Sequence, residues 1–355
     1  MMKSGKKNII KIISALLIVL LFYNSNISLG NLLTYYTLPH QAQVEPNSHI
    51  LNDLNLVWDK GEYVGMGGLI GIYDLLEREE MTASPTNIYF SEQMREELRY
   101  RQRFLNRFFS MDRRTGIIPE YLDIDFFLDT DLRIEKRQEV PQVLIFHTHA
   151  MSEFFIDGGE DLMEGIVGVG ATLAEYLRSY GLNVIHYTGV YDMVDGSIYR
   201  AGAYERIEPS IRRILEENPT IELVLDLHRD GVPETTDPSV FRRYINGRPT
   251  AAIMFVNGFS AINENGNTRR LNGIPNPYVR QNMALTFNMQ MSLEYHFGDI
   301  TRRMYLTPFR YINHLRPHSM LIEVGTQLNT SYEAHNATGS LAYTLYSVLF
   351  QDQEQ

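Results

Sequence analysis

The sequence predicts an α/β fold with a mixed, mostly parallel sheet flanked by helices, preceded by a membrane anchor and a juxtamembrane region. Two observations predict this architecture. Short apolar runs alternate with helical stretches from about residue 140 onward, which is typical of a sheet covered by helices on both faces. An apolar segment behind a cluster of lysines opens the chain, as in membrane anchors and export signals.

The N-terminal segment is predicted to be a membrane anchor or an export signal over residues 1–34. Its apolar run, Ile12–Tyr23, is shorter than the about 20 residues that a spanning helix needs, but partly apolar sequence continues to Leu33. Ser28 and Gly30 offer a cleavage site, so an uncleaved anchor and a cleaved signal both stay open. The preceding lysines favour a cytoplasmic N-terminus, which predicts a single-pass protein of the cell membrane whose remaining residues are extracytoplasmic.

Residues 35–136 carry no obvious cluster of catalytic residue types, and we interpret them as a juxtamembrane region. Within them, Glu92–Phe109 is rich in Arg and Glu and has apolar residues at helical spacing. This pattern predicts a solvated amphipathic helix. Residues 137–355 form the predicted α/β domain.

The elements of the α/β domain follow from its apolar runs and helical periods. Val143–Phe146 is a continuous apolar run of the kind that forms a buried strand. A helix over Ile166–Tyr180 follows, and Gly181 provides its stop. Asn-Gly within Tyr244–Arg248, between strand-like segments, predicts a hairpin. The remaining predicted elements are strands at Asn183–His186, Glu222–Leu227, Ala251–Val256 and Met320–Val324, and helices at Ser210–Glu217 and Ser340–Phe350.

Composition excludes several classes of protein. The chain has no cysteine, which rules out disulfides, thiolate metal sites and a cysteine nucleophile. Any metal must therefore be held by His and carboxylate side chains. The net charge of -11 argues against nucleic acid as a partner, because phosphate binding needs clustered Lys and Arg.

Polar residues follow or interrupt the predicted buried strands at three places. His147-Thr148-His149 comes directly after the first strand, His228 ends a later strand, and Glu323 lies inside the last one. A carboxylate in an apolar strand is costly unless it is paired, protonated or bound to a metal. Each of these residues alone is compatible with a structural role. Because ligands bind beyond the carboxyl ends of strands in open α/β sheets, together they predict a functional site at that edge.

These residues resemble the motifs of the zinc-dependent N-acetylmuramoyl-L-alanine amidases, and more closely those of the stage II sporulation protein P family. The similarity covers about residues 137–350. The segments that carry it are Phe146–His149, Glu164–Gly170, Asp226–Gly231, Ile253–Gly258 and Leu321–Gln327. The resemblance implies a zinc-amidase-like domain over residues 137–355, with Zn2+ as its cofactor.

The resemblance also implies a role for each residue of the site. The zinc ligands would be His149, Glu164 and His228. Glu323 would be the catalytic acid–base. Two imidazoles and one carboxylate leave a fourth position on zinc open for water, as catalytic sites require. Zinc acidifies that water, and a nearby carboxylate can take its proton and hand it to the leaving amine.

Some of these assignments have alternatives in the sequence. Glu153 stands close behind His149 and could replace Glu164 as a ligand, orient a ligand or contact the substrate. His147 could exchange roles with His149. Arg229 could bind substrate or orient the neighbouring histidine.

The function implied by the resemblance is cleavage of the amide between N-acetylmuramic acid and L-Ala of the peptidoglycan stem peptide, in septal wall remodelling during sporulation engulfment. The implied partners are stage II sporulation proteins D and M. Two alternatives stay open. One is a zinc endopeptidase or carboxypeptidase acting on stem peptides, and the other is an anchored, non-catalytic wall-binding scaffold.

Overall fold

The computed structural model describes residues 92–159 and 161–350, which lie within one compact unit. Its helices alternate with strands along most of this length. The helices are α1 (Glu92–Arg99), α2 (Arg101–Phe108), α3 (Ile124–Asp129), α4 (Ile166–Ser179), α5 (Ala203–Glu217), α6 (Val279–Phe297) and α7 (Ser331–Leu349).

A seven-stranded sheet forms the centre of the fold, with strand order β1-β12-β9-β13-β6-β2-β3. All neighbouring strands are parallel except β9 and β13, which are antiparallel. The prediction of a mixed, mostly parallel sheet is therefore confirmed. Its strands are β1 (Phe109–Met111), β2 (Val143–Phe146), β3 (Val184–His186), β6 (Leu223–Asp230), β9 (Ile253–Gly258), β12 (Met304–Thr307) and β13 (His318–Thr326).

Three short antiparallel hairpins are separate from the central sheet. They are β4 (Met193–Val194) with β5 (Ser197–Ile198), β7 (Arg242–Ile245) with β8 (Arg248–Ala251), and β10 (Ala261–Glu264) with β11 (Asn267–Arg270). The second hairpin turns at Asn246 and Gly247, both with positive φ, as the sequence predicts.

The two faces of the sheet bury different sets of helices. On β2, Val143 and Ile145 join the larger core with α4, α6 and α7, whereas Leu144 and Phe146 join a smaller core with α5. This follows from the strand's period of two, which sends successive side chains to opposite faces. Helices cover both faces, as predicted, but α5 is the one long helix that the described residues place on the smaller core.

Helix ends follow local sequence signals. Beyond α4, Gly181 has a φ of 79°, and the N–H of Leu182 donates to the carbonyl of Leu177 at 3.2 Å. This is a Schellman ending, as the position of the glycine predicts. The last helix begins earlier than predicted because Thr330 and Glu333 form a capping box at its start.

The predicted domain boundary at residue 136 is wrong for the described part of the preceding region. Residues 109–111 form β1, which pairs in parallel with β12 inside the central sheet. Phe104 and Phe108 pack on Phe287 of α6, with ring centroids 5.7 and 5.3 Å apart. Residues 92–136 therefore contribute to the core of the same domain.

The predicted anchor over residues 1–34 lies outside the described residues. Within residues 92–159 and 161–350, no helix is both long and apolar enough to cross a membrane.

The glycine at position 168 gives a test of the packing around α4. A Cβ atom there would overlap the backbone carbonyl of Met163, which cannot move as a side chain can. Ala normally stabilises a helix interior by about 0.5–1 kcal/mol relative to Gly. We expect Gly168→Ala to lower the free energy of unfolding by about 1–3 kcal/mol instead, because overpacking outweighs that gain.

Denaturant unfolding monitored by circular dichroism would measure this change. Gly273→Ala is the matched control, since a Cβ at that position meets nothing within 4 Å. A Gly168→Ala protein as stable as the control would contradict the packing described here.

Candidate active site at the carboxyl edge of the sheet

Strands β6 and β13 place His228 and Glu323 side by side. The two residues are paired in the register of these parallel strands, so their side chains leave the same face about 4.8 Å apart. Leu227 and Ile322, one residue earlier, enter the larger core on the opposite face. His228 and Glu323 therefore point to the face that α5 covers.

His149 reaches the same face because the chain turns after β2. The carboxylate of Asp226 accepts hydrogen bonds from the N–H of Thr148 at 3.0 Å and from its hydroxyl at 2.7 Å. These two hydrogen bonds hold Thr148, the residue between His147 and His149, in place. The ring of His149 then lies against those of His228 and Tyr204, with centroids 5.5 Å away in both cases.

The carboxylate of Glu153 is the centre of the hydrogen bonding at the site. It is 1% exposed. Its Oε1 atom lies 3.2 Å from Nδ1 of His228 and accepts a hydrogen bond from Nη2 of Arg200 at 2.9 Å. Its Oε2 atom accepts the backbone N–H of Arg229 at 3.0 Å. Glu153 thus joins the loop that follows β2 to the end of β6.

Glu164, in contrast, does not meet the histidines. Its side chain is exposed, and its Oε2 atom accepts the N–H of Gly159 at 2.8 Å. It closes the short loop before α4 rather than the site. The structure therefore does not bring Glu164, the predicted metal ligand, to the two histidines, and Glu153 is the carboxylate that lies beside His228.

His147 points away from His149, to the opposite face of the sheet. Its Nδ1 atom lies 2.9 Å from the carbonyl of Leu227, and its Nε2 atom lies 2.9 Å from Nε2 of His186. Gly170 of α4 packs so closely on this ring that a Cβ would approach it to 2.5 Å. The structure therefore does not place His147 where it could exchange roles with His149, and Gly170 allows α4 to pack closely on the sheet.

Arg229 holds the loop that carries Glu153. Its guanidinium donates to the backbone carbonyls of Phe154 at 2.8 Å and Ser152 at 3.1 Å, while its N–H binds the Glu153 carboxylate. Of the two predicted roles, the structure supports positioning of the site.

Burial and neighbouring charges shift the pKa values of Glu323 and His149 in opposite directions. Burial raises the pKa of Glu323 to about 8; His228 opposes this shift and Glu153 adds to it. Glu323 is partly exposed, although its Oε2 atom is fully buried and has no hydrogen-bond partner among the described residues. Burial also lowers the pKa of His149 to about 4, so its imidazole is neutral near pH 7.

His228 behaves in the opposite way. Burial acts to lower its pKa, but the carboxylates of Asp226 and Glu153 outweigh burial and raise the pKa well above its ordinary value. Burial likewise acts to raise the pKa of Glu153, and the positive charges of His228 and Arg200 lower it to about 2. The site therefore favours positive charge at His228.

The donor groups at this edge fit zinc, which binds imidazole nitrogen and carboxylate oxygen. The buried Nδ1 of His149 has no hydrogen-bond partner within the described residues. Nε2 of His228 lies 2.8 Å from Oδ1 of Asp226, so the nitrogen of this ring that would bind a metal together with Glu153 is Nδ1, 3.2 Å from Oε1 of Glu153. The ring centroids of His149 and His228 are 5.5 Å apart. Two imidazoles that bind one zinc through nitrogens at about 2.0–2.1 Å have ring centroids roughly 5 Å apart, which is close to this distance. Among the described residues, no three His, Asp or Glu side chains already stand in a metal-binding arrangement.

Several contributors to the site had no signal in the sequence. Asp192, fully buried, accepts the N–H groups of Met151 and Ser152 and so shapes the loop before Glu153. Tyr204 and Arg200 come from the segment at the start of α5, which carries no recognisable motif. The Asp226-Leu227-His228 pattern was visible, but its contact with Thr148 depends on the pairing of β2 with β6.

Comparison with known proteins places the chain in a family. No curated protein matches it at a significant level. A matching solved structure is that of the CwlD amidase from Clostridioides difficile in complex with the GerS lipoprotein, with 13% identity and a TM-score of 0.33 over 58% of this chain and 94% of that chain. The family model of stage II sporulation protein P (SpoIIP) matches residues 77–346, well over half of the 355 residues. The chain therefore belongs to the stage II sporulation protein P (SpoIIP) family.

Proposed function

We propose that the protein is a peptidoglycan hydrolase of sporulating cells that cleaves the amide between N-acetylmuramic acid and L-Ala of the stem peptide, using a zinc ion. The observation that carries this proposal is the cluster of two buried imidazoles beside buried carboxylates, in which Nδ1 of His149 has no hydrogen-bond partner among the described residues. Membership of the SpoIIP family supports the cellular setting. Stage II sporulation proteins D and M are proposed as partners on the family resemblance alone.

His149, His228 and Glu153 are the residues that would hold the zinc. The carboxylates around His228 already favour a positive charge at this point, and a metal ion and a proton compete for the same imidazole. Zinc supplies a Lewis acid that polarises the scissile carbonyl and acidifies water.

Glu323 is the proposed acid–base. Its raised pKa lets the carboxyl group both accept a proton from water and return it to the leaving amine near neutral pH. Its partial exposure gives the substrate access, while its position in β13 fixes it beside His228. The aromatic ring of Tyr204 covers the two histidines and limits the water around them.

The choice between Glu153 and Glu164 gives a direct test of the metal site. Purified full-length protein should contain about one zinc per chain. We expect Glu153→Gln to weaken zinc binding by more than the about 10–100-fold typical of losing an outer hydrogen-bond partner, because it removes a ligand. His228→Ala should do the same.

Competition with a chelator would measure these affinities, and Glu164→Gln is the matched control. Zinc binding that survives Glu153→Gln but is lost in Glu164→Gln would restore the assignment made from the sequence. Full zinc binding by His228→Ala would end the proposal of this zinc site.

The proposed reaction is tested by the masses of the fragments released from sacculi. Wild-type protein should release intact stem peptides that begin with L-Ala. Glu323→Gln should keep the fold and the zinc but lower kcat by about 100- to 10,000-fold, because it removes the group that moves the proton.

Two outcomes would redirect this proposal. Shorter peptide fragments would identify an endopeptidase or carboxypeptidase. Loss of zinc in Glu323→Gln would make Glu323 a ligand, and undiminished release by this variant would exclude it as the acid–base.

We also propose that residues 1–34 attach the protein to the cell membrane with the site outside the cytoplasm. Full-length protein should fractionate with membranes, and residues beyond 34 should be open to external protease. A soluble mature protein with a new N-terminus near Asn31 would show a cleaved signal instead.

A further inference from the structure

Three arginines lie next to the acidic groups of the site, and one of them differs from the others. Arg229 donates to backbone carbonyls of the neighbouring loop. Arg302 pairs with Asp230 at 2.7 Å, and its side chain is 21% exposed. Arg200, between β5 and α5, has a side chain that is 45% exposed. It is therefore the arginine of these three that faces solvent most.

Arg200 is nevertheless held in a defined position. Its Nη1 atom donates to the hydroxyl of Ser152 at 2.9 Å, and its Nη2 atom donates to Oε1 of Glu153 at 2.9 Å. The hydroxyl of Ser152 donates in turn to the buried carboxylate of Asp192 at 2.6 Å. A guanidinium oriented in advance loses less freedom when it binds a ligand.

The guanidinium also keeps donors to spare. An arginine side chain has five N–H donors. Two of them are directed at Ser152 and Glu153, and the remaining ones have no protein acceptor within residues 92–159 and 161–350. Since this part of the side chain faces solvent, an anionic group of a ligand can reach it.

The position of Arg200 limits which part of a ligand it can meet. Oε1 of Glu153 lies 3.2 Å from Nδ1 of His228 and 2.9 Å from Nη2 of Arg200. The distance from Nη2 of Arg200 to Nδ1 of His228 is therefore at most the sum of these two distances. A peptide advances about 3.3–3.6 Å per residue when extended, so the group in reach belongs to the first or second residue beyond the cleaved bond.

We propose that Arg200 binds a carboxylate on the second residue of the stem peptide and so determines the specificity of the enzyme, since L-Ala, the first residue, has no free carboxylate within the peptide. This inference rests on the proposed function. The other groups at this edge include the carboxylates of Glu153 and Asp230, which repel an anion, so the positive charge of Arg200 favours the approach of a carboxylate. Charge-assisted bonds from an arginine fork to a carboxylate are stronger than those to a neutral amide.

The test uses two muramoyl peptides that differ in one group. In the first, the residue after L-Ala carries a free carboxylate; in the second, the same group is a carboxamide. We expect wild-type protein to favour the acid by about 10- to 100-fold in kcat/KM, mainly through KM. Arg200→Ala should abolish this preference, and Arg200→Lys should keep part of it, because Lys retains the charge but not the fork.

Arg213→Ala is the matched control, since Arg213 is exposed on α5 farther along the helix. It should keep the wild-type preference. Equal cleavage of both peptides by wild-type protein would overturn the inference. So would an Arg200→Ala protein that loses the same factor on both peptides, because Arg200 would then act only by holding Glu153.

A protein that cleaves neither peptide would reject the proposed function, and the binding of the two peptides, measured by calorimetry, would then test Arg200 separately. Tighter binding of the acid by wild-type protein but not by Arg200→Ala supports the inference. Equal binding of the acid and the amide overturns it.

Discussion

Burial of the Glu153 carboxylate is the constraint on which the rest of the site depends. Removing a charge from water costs several kcal/mol unless paired groups replace the lost hydration. His228 and the N–H of Arg229, which are neighbours at the end of β6, and Arg200, which lies between β5 and α5, supply that replacement. A change in either place would leave the charge with less compensation. The loop after β2, the segment after β5 and the end of β6 are therefore held in one arrangement.

A second effect of this arrangement is that His228 stands between two carboxylates. Asp226 and Glu153 flank His228, and Glu323 stands beside it in the sheet. The opposite charges of the two carboxylates favour a proton on His228, while burial, with a smaller contribution from Glu153, favours a proton on Glu323. The two carboxylates therefore favour a cation or a proton at His228, and zinc is the cation that we propose for this place.

Much of the sheet could be predicted from the sequence, because its central strands are continuous apolar runs. Val143–Phe146 is a strand with the predicted bounds, and His228 and Glu323 meet at the edge where the pattern placed them. The short strand β12 was missed because it lies outside such a run. Helix α5 begins at Ala203, before its predicted start at Ser210. Pro209 lies inside the helix, where proline normally disfavours helical structure.

The carboxylate of the site could not be chosen from the sequence alone. Glu153 and Glu164 both follow His149 at short distance, and the backbone of Ile166 even donates to the carbonyl of Glu153 at 3.0 Å, so the two segments are neighbours. Which side chain turns inward depends on the loop held by Asp192 and Arg229. These contacts join residues far apart in the chain, so they cannot be predicted from local sequence patterns.

The packing of residues 92–136 sets a limit on where the chain can be shortened. A fragment that begins at the predicted boundary would lose β1, leaving β12 as an open sheet edge, and would uncover the aromatic face of α6 at Phe287. Open edges and exposed apolar surface favour association between molecules. A soluble fragment for biochemical work must therefore begin no later than α1, even though every residue of the site comes after β2 begins.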